Sequence, residues 1–178
     1  MKKIIITIIF FQHFTFLFGQ DTDIKFMIDS LQYLKTDTLN CKADIYWKII
    51  SKGDKAIPFL IEKLTDTTPT NIKFHCKKTR LNVGEVAQFA LTEIANFPAF
   101  VVTKMQFDVI IIDEKTGQGC WSFYDFLFIN SNKARYQRDV KNWYDKERLK
   151  YKVEKISNEK QTECQKLYGI DKYYRWTE

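Results

Sequence analysis

The sequence predicts a mainly α-helical protein, and three observations support that class. Apolar residues recur at helical spacing along most of the chain, which gives successive segments one apolar face each. Aromatic residues make up 16% of the 178 residues, whereas there are only six glycines and three prolines. This composition is typical of a packed domain and not of a disordered chain.

The chain begins with the pattern of a secretory signal peptide over residues 1–19. Two lysines precede an apolar stretch over residues 4–18, and the small residue Gly19 follows it. That order matches the three regions of a cleavable signal, and the stretch is shorter than the ~20 residues of a membrane span. The alternatives are an N-terminal membrane anchor or a buried core helix. We expect cleavage, a single domain over residues 20–178, and a periplasmic or extracellular location.

Four cysteines, all in the mature part, predict disulfide bonds. An even number in an exported chain indicates a disulfide framework, and four cysteines allow three pairings. No C-x-x-C pair occurs, so the spacing supports neither a zinc site nor a thioredoxin-like motif. The alternative is four buried or free thiols. The cysteines are Cys41, Cys76, Cys120 and Cys164.

Positive charge is concentrated towards the C-terminus. Without the two lysines of the signal the net charge falls from +6 to +4, and residues 130–178 carry 13 basic against 8 acidic side chains. Such an excess suits an anionic partner, such as a lipid surface, a polyanionic glycan or an acidic protein. Because acids are interleaved throughout, we favour the simpler interpretation of a solvated helix face.

Helical periodicity predicts four helices in the first half of the mature chain. Gly53 is placed to end the second helix, and Asp54 to cap the third. The stretch 71–82 before the fourth helix is polar, basic and unpatterned, which predicts a loop. The expected helices cover about residues 23–35, 42–51, 54–64 and 83–96.

Residues 40–104 resemble a HEAT-type helical repeat. The segment from Gly53 to Asp66 is similar to the second helix of such a repeat, and that from Gly84 to Ala95 to the first helix of the next. Ile57-Pro58 recurs as Phe97-Pro98 forty residues later, which is within the period of these repeats. The resemblance implies a short α-α superhelix of paired antiparallel helices. It implies a scaffold and no particular chemistry.

The paired helices implied by this resemblance also suggest a disulfide pairing. In an up-down pair, the start of the second helix near Cys41 and the loop that holds Cys76 lie at the same end. The expected bonds are therefore Cys41–Cys76 and Cys120–Cys164.

The chain after Pro98 admits two interpretations. Residues 107–112 are rich in β-branched side chains and precede turn residues, which fits a small β-hairpin over about 107–121. They also fit a helix that continues from Pro98 to about Ile112, and we favour the helix.

A helical C-terminal extension is expected over about residues 120–178. Residues 120–129 predict a buried aromatic helix, and the tyrosine-rich tail 164–176 is expected to be held by Cys164. A long polar helix is predicted over 132–156, and its inward stripe is Tyr136, Val140, Trp143 and Tyr144.

No group of residues predicts catalysis or metal binding. His75, the one histidine of the mature chain, adjoins Cys76, and sequence neighbours usually point apart, which disfavours a Cys–His nucleophile. A single histidine also excludes a multi-histidine metal site in a monomer. We therefore expect no metal and no cofactor.

Two pairs of carboxylates are candidates for glycoside cleavage. Glu85 and Glu93 lie about 12 Å apart by helical rise, which exceeds the separation that such sites use. Asp113 and Glu114 fit a turn. Neither pair predicts an enzyme.

The leading interpretation is a non-enzymatic secreted or periplasmic protein-interaction module, for example of the inhibitor or immunity type. Its alternatives are a small secreted hydrolase acting on envelope glycan or peptide, and a protein that binds anionic surfaces. Export argues against nucleic acid as a partner, and no second apolar stretch predicts a transmembrane segment. The candidate contact surface is rich in residue types common at binding hot spots, namely Tyr173, Tyr174, Arg175 and Trp176.

Overall fold

The computed structural model describes residues 22–107, 109–112 and 119–177, and the described chain is mainly α-helical, as predicted. Two small antiparallel sheets of two strands each accompany the helices. The predicted signal peptide, residues 1–19, lies outside the described residues, as do Asp113 and Glu114. Within the described ranges, no helix combines the length and the apolar character needed to cross a bilayer.

Three short helices and two 3₁₀ turns form the N-terminal part. Each helix lies where periodicity predicts it and is shorter than predicted. Gly53 separates the second from the third with a φ of +60°, a left-handed conformation that glycine adopts without a Cβ clash. The elements are α1 (22–29), a turn over Ser30–Tyr33, α2 (Asp44–Ile50), a turn over Gly53–Ala56, and α3 (Ile57–Lys63).

The fourth helix, α4 (Val83–Ile94), packs against both α2 and α3. Its N-terminus is closed by a reciprocal cap. The Glu85 N–H donates to Asn82 Oδ1 (3.0 Å), and the Asn82 N–H donates to Glu85 Oε2 (2.9 Å). Gly84 permits the close approach to α3, since a Cβ at this position would lie 2.4 Å from the Leu64 carbonyl oxygen. The apolar face of α4 is buried and comprises Val86, Ala87, Ala90, Leu91 and Ile94.

A β-hairpin follows the short helix α5 (Ala99–Thr103). Strand β1 (Ile110–Ile112) pairs antiparallel with β2 (Gly119–Trp121). The hairpin prediction is confirmed, and the favoured helix from Pro98 to Ile112 is wrong. Lys104 ends α5 in a left-handed conformation with a φ of +60°, and the three β-branched isoleucines then favour extended backbone.

Three helices and a second sheet complete the described chain. The prediction of one helix over 132–156 is wrong beyond Glu147, where the chain turns back and pairs with the tail. In a straight helix the Cα atoms of Trp143 and Tyr151 would be about 12 Å apart along the axis. In the structure the rings of the two residues are in contact, with their centroids 5.9 Å apart. The elements are α6 (Ser122–Phe128), α7 (Asn130–Glu147), β3 (Tyr151–Lys155), α8 (Glu163–Leu167) and β4 (Lys172–Trp176), with β3 antiparallel to β4.

One connected hydrophobic core joins these elements. The predicted aromatic helix is present as α6, whose inward side chains Phe123, Phe126 and Leu127 are buried. The predicted stripe of α7 also faces inward, with Tyr136 and Val140 buried and Trp143 and Tyr144 packed against the core.

The two disulfide bonds join Cys41 to Cys164 and Cys76 to Cys120. The predicted pairs, Cys41–Cys76 and Cys120–Cys164, are therefore wrong. The tail returns to the start of α2, where the Tyr168 hydroxyl donates to the Cys41 carbonyl (3.0 Å) and its ring stacks on Trp47. The tail is thus held by Cys164, as predicted, and both bonds are compatible with an oxidising compartment.

Candidate functional site

The β1–β2 hairpin exposes a run of apolar side chains. Val109, Ile110, Ile111 and Ile112 are each between 49% and 63% exposed. Successive side chains of a strand point to opposite faces, so no described residue covers either face of β1. Exposed apolar patches of this kind mark interaction sites in folded proteins.

An apolar cleft of about 460 Å³ adjoins the hairpin. Phe100 of α5 and Trp121 of β2 form two of its walls and are both exposed. The Trp121 indole N–H donates to the Phe107 carbonyl, and its ring lies 5.0 Å from that of Phe123, which fixes its orientation. The name hairpin surface is used below for Val109, Ile110, Ile111 and Ile112 together with Phe100 and Trp121.

Strand β1 has a free edge within the described part of the chain. The Ser122 N–H donates to the Val109 carbonyl (2.9 Å), so these two residues form a hydrogen-bonded pair. Such pairs alternate with non-hydrogen-bonded pairs in antiparallel strands. The backbone groups of Ile110 and Ile112 therefore point away from β2, and they can pair with a further strand.

The Cys76–Cys120 disulfide fixes the hairpin to the loop before α4. His75 Nε2 also lies 3.4 Å from the Gly119 carbonyl oxygen, within hydrogen-bonding distance. A surface that is held in place before binding loses less conformational freedom when a partner arrives.

The Cys76–Cys120 disulfide also determines whether His75 and its neighbours can bind a metal ion. The ligating atoms of His75, Cys76 and Cys120 lie within 4.8 Å of one another, a spacing that suits a metal ion. The two sulfur atoms are bonded to each other, however, so neither is a thiolate that can bind a metal or attack a substrate in this form. In this form the three residues cross-link the loop before α4 to the hairpin.

Glu85, one of the two candidate carboxylates on α4, lies in a buried ion-pair cluster. Its carboxylate accepts from Lys77 at 2.6 Å and from Lys133 at 2.9 Å, in addition to its capping contact with Asn82. Glu85 is 0% exposed and Lys133 is 2% exposed. These contacts occupy both carboxylate oxygens, which indicates a structural role.

Glu93 lies in a different environment from Glu85. It lines a mainly apolar cavity with Tyr46 and Phe89, and burial raises the pKa of its carboxyl above the ordinary value. The structure therefore does not bring these two carboxylates together into an acid–base pair.

Sequence reasoning missed the buried position of Lys133. Helices α4 and α7 make two parallel polar contacts, Lys133 to Glu85 and the Tyr136 hydroxyl to Gln88 Oε1 at 3.0 Å. Lys133 precedes Tyr136 by three residues, so the inward stripe of α7 extended by one turn would have included it.

The predicted contact surface in the tail is partly used inside the chain. The Tyr174 hydroxyl donates to Asp54 Oδ1 (3.2 Å), and the Trp176 ring lies 5.5 Å from that of Trp143. Arg175 is exposed and lies near Glu154, and Tyr173 is half-buried. The four residues therefore form a strand of the fold, and Arg175 is the one most open to a partner.

The hairpin surface combines exposure, apolar character and a fixed position more fully than the tail does. In the sequence these residues indicate secondary structure alone, since a run of four aliphatic residues is equally typical of a buried strand. No protein-family model matches the chain, and neither a curated protein nor a solved structure matches it significantly.

Proposed function

We propose that this chain is an exported, non-enzymatic protein-interaction module that binds a partner protein through the hairpin surface. The observation that carries this proposal is the exposure of Val109, Ile110, Ile111 and Ile112 beside the apolar cleft. Covering such a surface releases roughly 25 cal/mol for each Å² of apolar area removed from water. The signal pattern over residues 1–19 and the two disulfides support export.

The free edge of β1 supports a specific mode of binding. An extended segment of the partner would pair with the outward backbone groups of Ile110 and Ile112 and become a third strand. An apolar side chain of that segment would enter the cleft between Phe100 and Trp121. The helical body, with its resemblance to HEAT-type repeats, would hold this edge rigid.

Within this class, we favour an inhibitor or immunity-type protein that covers part of a secreted enzyme. Strand addition supplies affinity through the backbone, and the cleft supplies selectivity through one side chain. Both features suit a small module whose role is to occupy another protein.

The test is affinity capture from the native envelope fraction with a matched pair of variants. Ile110→Ser/Ile112→Ser removes two exposed aliphatic side chains from the hairpin surface. Leu149→Ser/Leu167→Ser removes two from other exposed positions, where Leu149 is 92% exposed. We expect the wild type and the second variant to capture the same protein and the hairpin variant to lose it.

Affinity for the captured protein then gives the magnitude. Each buried isoleucine contributes about 1.5 kcal/mol or more, so the hairpin variant should bind at least about a hundredfold more weakly. Equal affinity of the wild type and the hairpin variant for that protein would refute the proposed surface.

A further inference from the structure

A second feature lies in the loop between α3 and α4, where residues 73–80 border an open basin of about 640 Å³. This volume is in the range of small-molecule sites. Two threonine hydroxyls and four cationic side chains line the basin, namely Thr38, Thr79, Lys73, Lys77, Lys78 and Arg80. Because these cations occur within eight residues of sequence, the loop concentrates positive charge on one small surface.

The charge of the basin is only partly balanced. Lys73 lies 3.3 Å from Asp37, and Lys77 lies 2.6 Å from Glu85, which is shared with the buried Lys133. Within the described part of the chain, Lys78 and Arg80 make no ion pair with an acidic side chain. The four basin cations and Lys133 therefore face two carboxylates, which leaves a net charge of +3.

Part of the excess positive charge is buried. Lys77 and Lys133 share the single carboxylate of Glu85, and all three side chains are largely shielded from solvent. Lys77 is 16% exposed in its side chain, and it also lies over the Phe128 ring, 5.1 Å from the centroid. Electrostatic interactions are stronger away from bulk solvent, so this surplus charge raises the potential at the wall of the basin.

Three of the four basin cations, Lys73, Lys77 and Arg80, have fixed contacts within the protein. Arg80 Nη1 donates to the Asn71 carbonyl (2.8 Å) and to Asn71 Oδ1 (2.9 Å), which orients the guanidinium. The loop itself is braced by the Leu81 N–H, which donates to the Ile72 carbonyl (2.8 Å), and by the disulfide at Cys76. Donors that are already oriented bind an anion at a lower cost in conformational freedom.

We propose that this basin binds a phosphoryl group carried by a small molecule or a lipid headgroup. A phosphate monoester carries a charge of about −1.5 to −2 near neutral pH and offers three acceptor oxygens. Lys78, Arg80 and the Thr79 hydroxyl supply donors of three different geometries for those oxygens. This site is separate from the hairpin surface, and it does not depend on the function proposed for that surface.

The first experiment uses calorimetry at low ionic strength to measure the binding of inorganic phosphate and of glycerol phosphate to the exported chain. Flotation with vesicles of phosphatidylcholine and phosphatidic acid tests the lipid-borne source. We expect saturable binding of at least one probe, weakened by added salt. Binding of the soluble probes alone identifies a free ligand, and binding of the vesicles alone identifies a headgroup; either result supports the site.

Two matched variants locate the binding. Lys78→Gln/Arg80→Gln and Lys152→Gln/Lys155→Gln each remove two exposed positive charges, the second pair from β3. We expect the first to bind at least about tenfold more weakly and the second to bind like the wild type. The hairpin variant Ile110→Ser/Ile112→Ser should also bind like the wild type. Absence of saturable binding to every probe, or equal weakening in both charge variants, would overturn the proposal.

Discussion

Replacing Glu85 with glutamine tests the most heavily buried charges in the structure. The substitution preserves the size of the side chain and an oxygen that can accept from the Asn82 N–H, so the helix cap is retained. It removes the negative charge that both Lys77 and Lys133 contact. Lys133, only 2% exposed, then lacks its counter-ion.

The expected loss of stability follows from that burial. Removing one partner of a buried ion pair costs about 3–5 kcal/mol, because the remaining charge is neither paired nor hydrated. A domain of this size is stable by about 5–15 kcal/mol, so Glu85→Gln removes a large share of the total. Replacing Lys133 with methionine in the same chain removes the stranded charge, and the double variant should recover much of the loss.

Urea unfolding followed by circular dichroism, with both disulfides intact, measures these effects. Glu62→Gln is the matched control, since Glu62 is an exposed residue of α3 and should change stability by less than about 0.5 kcal/mol. If Glu85→Gln lies within about 1 kcal/mol of the wild type, or if the double variant is less stable than the single one, the reasoning about the buried cluster fails.

Two further predictions concern α4. Gly84→Ala should lower stability by about 1–3 kcal/mol despite the better helix propensity of alanine, because its Cβ meets the Leu64 carbonyl; a raised thermal midpoint would contradict this. Burial raises the pKa of Glu93, so above pH 4.5 the folded state binds more protons at this carboxyl than the unfolded state does. The stability of the wild type, relative to that of Glu93→Gln, should therefore fall as the pH rises from 4.5 towards the raised pKa. Urea midpoints across that window measure the difference, and a gap that does not change with pH would count against it.

The sequence predicted the helices whose apolar residues repeat at regular spacing and failed where tertiary contacts decide the structure. Helices α2, α3 and α4 follow from local periodicity and from Gly53. Strand β3 does not follow from local periodicity. Residues 151–155 form a strand instead of extending α7 because they pair with β4, which lies about twenty residues later in the chain. The cysteine pairing failed for the same reason, since the Cys41–Cys164 bond needs the path of the whole C-terminal region. The HEAT-type resemblance stays a prediction.

The candidate sites were harder to predict than the helices. The charge count indicates residues 130–178, whereas the basin is lined by four cations of the loop 73–80. Sequence identifies that loop as basic but does not show that it borders an open space. Exposure of the isoleucines depends on nothing packing over β1, which local sequence does not encode. The burial of Lys133 could have been predicted, since it lies one turn before Tyr136 on the inward face of α7.

The arrangement of the two disulfides affects how the chain responds to proteolysis. The Cys41–Cys164 bond spans 123 residues and encloses the Cys76–Cys120 bond. One peptide-bond cleavage anywhere between the outer cysteines therefore leaves both fragments covalently linked. A cut between β1 and β2 would be visible on a gel only after reduction, because the Cys41–Cys164 bond keeps the two fragments in one molecule.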